Sequence, residues 1–170
     1  MIAELLIAVN LFTTPTHTIT PQIHKSQIEL NNHYYNISEK ALVPNFNPDT
    51  GHNVIVQNYI DKGLIATAYN HFAKDGKPTY IAGHNPGALS GIARDIKMGS
   101  IVTGYDNEGN AYKYKITNHM IVPLNSLEML QSYADYILYK LPHEEKLVIQ
   151  YCIAVSYTHL RAHETRHDLV

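Results

Sequence analysis

Ser100-Ile101-Val102-Thr103-Gly104-Tyr105 runs through Asp106-Asn107-Glu108-Gly109-Asn110 into Ala111-Tyr112-Lys113-Tyr114-Lys115-Ile116-Thr117, and the hairpin spelled there decides the fold. Two runs rich in β-branched and aromatic residues flank five turn-forming ones. Tyr112, Tyr114 and Ile116 alternate with Lys113, Lys115 and Thr117, the period of a strand with one buried and one solvated face. The second run extends to Val122, and Pro123 stops it.

Working outward, Asn125 or Ser126 caps an expected helix to about Leu141, with Leu127, Leu130, Ala134, Ile137, Leu138 and Leu141 on its buried side. Pro142 ends it, and Leu147 to Ala154 then reads as a buried strand. Upstream, Tyr80 to Ala82 reads as a core strand that exits into Gly83-His84-Asn85-Pro86-Gly87. Ser90 to Ile96 suits one or two helical turns closed by Gly99, and Asp75-Gly76-Lys77-Pro78 is a turn. Val54 to Val56 suits a short strand, although from Ile55 to Phe72 the apolar spacing follows a helical face. Strands in hairpin order with an inserted helix predict a mainly antiparallel barrel or sandwich.

The first 47 residues are expected to stand apart from residues 48–154. Met1 to Phe12 is short, apolar and interrupted by Glu4, so it reads either as the remnant of an export signal or as an ordinary apolar segment. The Thr-, Asn- and Pro-rich stretch to Asn47 reads as an exposed arm.

A chain of 170 residues, 45% hydrophobic and 16% charged, suits one globular domain. A net charge of −2 argues against a general nucleic-acid binder, which would carry a basic stripe. No apolar run is long enough for a membrane-spanning helix. The single cysteine, Cys152, excludes an internal disulfide.

That cysteine ends the apolar run Leu147-Val148-Ile149-Gln150-Tyr151-Cys152, and His84 lies at the exit of another strand-like run, 68 residues earlier. A thiol and an imidazole brought together by the fold are the minimum for covalent cysteine catalysis. The plainer reading is a small buried thiol in a core. His71 and His119 read as surface or packing residues.

Three blocks in order resemble the sortases, cysteine transpeptidases of Gram-positive cell surfaces. They are Ala82-Gly83-His84-Asn85; Gly99-Ser100-Ile101-Val102 with Tyr112-Lys113-Tyr114-Lys115-Ile116 and Ile121-Val122-Pro123; and the strand ending in Cys152. The resemblance covers a little under half of the chain. It implies a β-barrel with one or two inserted helices, incomplete at its C-terminal end, with Cys152 as nucleophile and His84 as proton donor and acceptor. It further implies cleavage of a Leu-Pro-x-Thr-Gly-type sorting signal of surface proteins through an acyl-thioester. A peptidoglycan precursor or a pilin amine would be the acceptor, at the extracellular face of the cell, from a secreted or membrane-anchored enzyme. No cofactor is required. Some members of the family use calcium, but Asp106 and Glu108 read better as a solvated turn than as its ligands.

Two departures stand out. The family has Thr before the cysteine, where this chain has the far bulkier Tyr151, so a different acyl pocket is expected. The family also has an arginine on the next strand. Arg161 lies at a suitable distance, but residues 155–170 lack alternation and read as an adapter-like, non-native tail. Arg94 precedes the cysteine and is in the wrong place. The tail also contains His163-Glu164-Thr165-Arg166-His167, a formal match to a zinc-hydrolase motif with His163 and His167 as ligands. The alternatives are therefore a secreted, non-catalytic peptide-binding barrel and, last, a zinc hydrolase.

Overall fold

A computed structural model of the chain describes residues 2–10, 24–44, 46–47, 50–69, 72, 77–123, 125–126, 128–129, 132–133, 136 and 145–153. The expected tail, with Arg161, His163 and His167, lies outside these residues, as do His71, Asp75 and Gly76 of the expected turn, and most of the helix to Leu141. Within the latter, residues 128–129 and 132–133 are helical.

The protein is mainly β: a nine-stranded mixed sheet curls into a half-barrel that carries few helices. In chain order the strands are β1 (Ile2–Asn10), β2 (Gln27–Leu30), β3 (His33–Asn36), β4 (Leu42–Pro44), β5 (Ala66–Tyr69), β6 (Thr79–Gly83), β7 (Ile101–Tyr105), β8 (Ala111–Pro123) and β9 (Lys146–Ile153). Their spatial order is β3-β2-β7-β8-β1-β9-β6-β5-β4. The pairings β4–β5 and β6–β9 are parallel and the others antiparallel.

The β7–β8 hairpin forms as its alternation requires, with Tyr114 and Ile116 buried and Lys113, Lys115 and Thr117 exposed. Its turn is organised differently from a solvated loop. Asp106 is buried, and its carboxylate accepts the backbone N–H groups of Glu108, Gly109 and Asn110, the Asn110 amide and the Tyr112 hydroxyl. These bonds use up the acceptor capacity of the carboxylate within the turn.

The N-terminal part of the chain departs from its sequence reading. The first residues are not peripheral: β1 lies between β8 and β9, with Leu5 to Ala8 buried. Residues 24–44, expected as an exposed arm, supply β2, β3 and β4 to the same sheet. The stretch expected as a short strand at Val54–Val56 is helical: α1 spans His52–Asp61. Val56 and Ile60, one helical turn apart, bury against β4, β5 and β6, while Val54 and Ile55 stay exposed. Gly63, at φ 76°, ends the helical run that the periodicity carried on to Phe72, and β5 begins three residues later.

The sheet is covered on both sides. On one face Leu6, Ala8, Ile81, Ile116, Leu147, Ile149 and Tyr151 pack with Leu89, Ile92 and Ile96 in and around α2 (Ser90–Asp95). On the other, Leu5, Ile7, Tyr80, Ala82 and Val148 pack with Val56 and Ile60 of α1. Strand residues alternate between these faces, so Val148, Gln150 and Cys152 belong to the α1 face, and Leu147, Ile149 and Tyr151 to the α2 face.

Candidate functional site

The site lies where β6 ends beside β9, two residues before β9 itself ends. The two strands run parallel with Ala82 opposite Gln150 and Gly83 opposite Tyr151. His84 follows Gly83 out of β6, and Cys152 follows Tyr151 within β9, so the two backbones stand at the same level. The two residues are 68 apart in the sequence.

Local chemistry fixes where His84 goes. A Cβ on Gly83 would come within 2.8 Å of the Leu89 side chain, so only glycine lets the loop close over that core residue. The loop shuts through Leu89 N–H to His84 O at 3.1 Å, and the Ser90 hydroxyl accepts the Gly87 N–H at 2.7 Å. Gly87, at φ 147°, packs against the His84 backbone and Cβ, where a side chain would collide.

His84 Nε2 lies 3.1 Å from Asp61 Oδ1, at the last residue of α1. Asp61 Oδ1 also accepts the Gln57 side-chain amide at 2.8 Å, one helical turn back. The imidazole and carboxylate side chains are 43% and 57% exposed, so the pair orients the ring but contributes little to stability. Asp61 was not legible in the sequence: it lies on another element, 23 residues before the histidine, and no local motif links them.

Cys152 is a free, half-buried thiol. Two residues before it on the same face, Gln150 Oε1 accepts hydrogen bonds from both the Tyr80 and Tyr133 hydroxyls, and the two phenolic oxygens lie 3.2 Å apart. Burial pushes the Tyr80 phenol up to about 12 and the Tyr133 phenol well above its ordinary value, and the Cys152 charge adds to both shifts.

Tyr151, the bulky residue before the cysteine, turns away from it. Its side chain is buried on the α2 face, opposite to that of Cys152. There burial first, and then the Glu4 carboxylate, raise its phenol, although the hydroxyl makes no well-aligned hydrogen bond. Glu4 itself is ion-paired with His119 on β8.

The cation expected near the thiol is not supplied by Arg94. That side chain is 71% exposed in α2 and holds Asp95 through Nε at 2.7 Å and Nη2 at 2.8 Å. On the side of Cys152 away from β6 the register partner is Ala3 of β1, a residue with no polar side-chain atom. A cleft of about 340 Å³ opens near Tyr35, Ser38, Leu64 and Ala88, and neither His84 nor Cys152 lines it. Among the described residues no cluster of three or more His, Cys, Asp or Glu could hold a metal, and no helix is long and apolar enough to cross a membrane.

No family model, curated protein or solved structure matches the chain.

Proposed function

We propose that the protein is a sortase-like cysteine transpeptidase, with Cys152 as the nucleophile and His84 as the proton carrier. The observation that supports this most is the parallel β6–β9 register: the only cysteine of the chain and a histidine held in a tight loop each follow one member of the Gly83–Tyr151 pair. A buried structural thiol would need neither that loop nor the Asp61 contact behind the imidazole.

In this reading the thiolate attacks the carbonyl of a sorting-signal peptide of the Leu-Pro-x-Thr-Gly type. His84, protonated, balances the thiolate charge and then gives its proton to the leaving amine. An amine of the cell wall or of a pilin subunit enters next, returns a proton to the same ring and takes the acyl group. Asp61 fixes the ring so that one nitrogen serves the chemistry while the other is held. The place of action in this reading is the outer face of a Gram-positive cell.

The test is transfer itself. The chain is incubated with a fluorescent Leu-Pro-x-Thr-Gly peptide and triglycine as acceptor. The ligated product and the released glycine fragment should form together, and neither should form with Cys152→Ala. Tight peptide binding without either product would support the non-catalytic binding module instead.

A further inference from the structure

We propose that the paired hydroxyls of Tyr80 and Tyr133 are the oxyanion donors for acyl transfer at Cys152, taking the place of an arginine. This rests on Cys152 being the nucleophile. The geometry is already that of a two-donor hole: two phenolic oxygens 3.2 Å apart aim their O–H bonds at one carbonyl-type oxygen, Gln150 Oε1. Gln150 precedes Cys152 by two residues on the same face of β9, so the point of convergence sits next to the thiol along the strand. Arg94, the arginine among the described residues, is engaged with Asp95 instead.

The hydroxyls suit the role chemically. Burial keeps both phenols protonated far above neutral pH, so they donate without losing their protons. A dry, prearranged donor is worth more than one in water, because nothing has to reorient as charge develops. The Gln150 side chain serves as the resting occupant and swings aside for the substrate oxygen.

Cys152 Sγ forms a bond to the acyl carbon while the carbonyl π pair moves onto oxygen, where both hydroxyls hold it. The pair then returns, the carbon–nitrogen bond breaks, and the nitrogen leaves with that bond's electrons and the His84 proton. Both tyrosines keep their protons throughout.

The test separates acylation from thiol reactivity. Acylation is followed in single turnover with p-nitrophenyl acetate, and alkylation of Cys152 with iodoacetamide, which forms no oxyanion. Tyr80→Phe and Tyr133→Phe should each lower acylation by about 10²–10³-fold while alkylation changes by less than about twofold. Gln150→Leu, which removes the resting acceptor, should acylate at least as fast as the parent. Unchanged acylation in both phenylalanine variants, or a parallel fall in acylation and alkylation, would overturn the inference. So would a loss of acylation in Gln150→Leu as large as in those variants, which would mark the cluster as a purely structural one. A parent protein that is alkylated but never acylated would overturn the nucleophile assignment itself, and with it the donors.

Discussion

Gly83 and Tyr151 face each other across the parallel β6–β9 pair, and the next residue of the chain after each is a candidate catalytic group. The relationship is topological before it is chemical. Strands that run the same way carry successive residues to the same level, so His84 and Cys152 each follow one member of a register pair although they are far apart in sequence. Because side chains alternate, the same register sends Tyr151 to one face and Cys152 to the other.

His84→Gln should lower the rate of peptide acylation by about 10²–10⁴-fold, the usual contribution of a positioned proton carrier. Asp61→Asn, which keeps a hydrogen-bonding group but removes the charge, should cost less than about tenfold, as the exposed pair is weak. Single-turnover peptide cleavage, with melting temperatures to confirm folding, checks both. A loss in Asp61→Asn equal to that in His84→Gln would contradict the assigned roles.

Gly83→Ala should be damaging through Leu89. The added Cβ lies within 2.8 Å of the Leu89 side chain, and overpacking of this kind costs about 1–3 kcal/mol. Leu89→Ala alone should also destabilise, by about 2–5 kcal/mol, since it empties a fully buried position. Combined, the two should be less than additive, because one makes room for the other. Denaturant unfolding of the four proteins measures the coupling, and strict additivity would show that the contact is not the cause.

The hairpin, β6, α2 and β9 were legible because their signals are local: alternation in Tyr112–Thr117, glycine and proline at the ends, and a continuous apolar run in Leu147–Ile149. The place of β1 was not. Leu5 to Ala8 are buried from both faces, so the segment has no period and resembles a signal remnant as much as a strand. Val54–Val56 misled for the opposite reason, since β-branched residues suggest a strand but the pairing of Val56 with Ile60 against the sheet selects the helix. The Cys152 and His84 positions could be read from strand ends. Asp61, Gln150 and the two tyrosines could not, as their meeting depends on how α1 and Tyr133 lie over the sheet.

Alkaline stability should report the Tyr80 environment. Its phenol is raised from 10.0 to about 12 in the fold, chiefly by burial. A group raised on folding contributes stability that is fully present below its unfolded value and is lost as pH climbs through the folded one. Stability should therefore decline between about pH 10 and pH 12, by roughly 2–3 kcal/mol from this residue. Tyr80→Phe should flatten that part of the curve. An unchanged slope in urea titrations across the range would show that Tyr80 is not so placed.

Asp106→Ala should loosen the β7–β8 turn, because the Glu108, Gly109 and Asn110 backbone donors lose their shared acceptor. The expected cost is about 1–3 kcal/mol. Hydrogen exchange should quicken at residues 107–110 while the β6–β9 amides keep their protection. Faster exchange throughout the sheet would show that the turn holds more of the fold than the hairpin.

The central claim is that Cys152 carries an acyl group taken from a peptide. The direct measurement is intact-protein mass spectrometry after brief mixing with a Leu-Pro-x-Thr-Gly peptide and acid quench, followed by mapping of the adduct. The account predicts an added mass equal to the peptide up to its Thr carbonyl, on Cys152, labile to hydroxylamine and missing in Cys152→Ala. An adduct that persists in Cys152→Ala, or a parent protein that binds the peptide yet never gains mass, would contradict it.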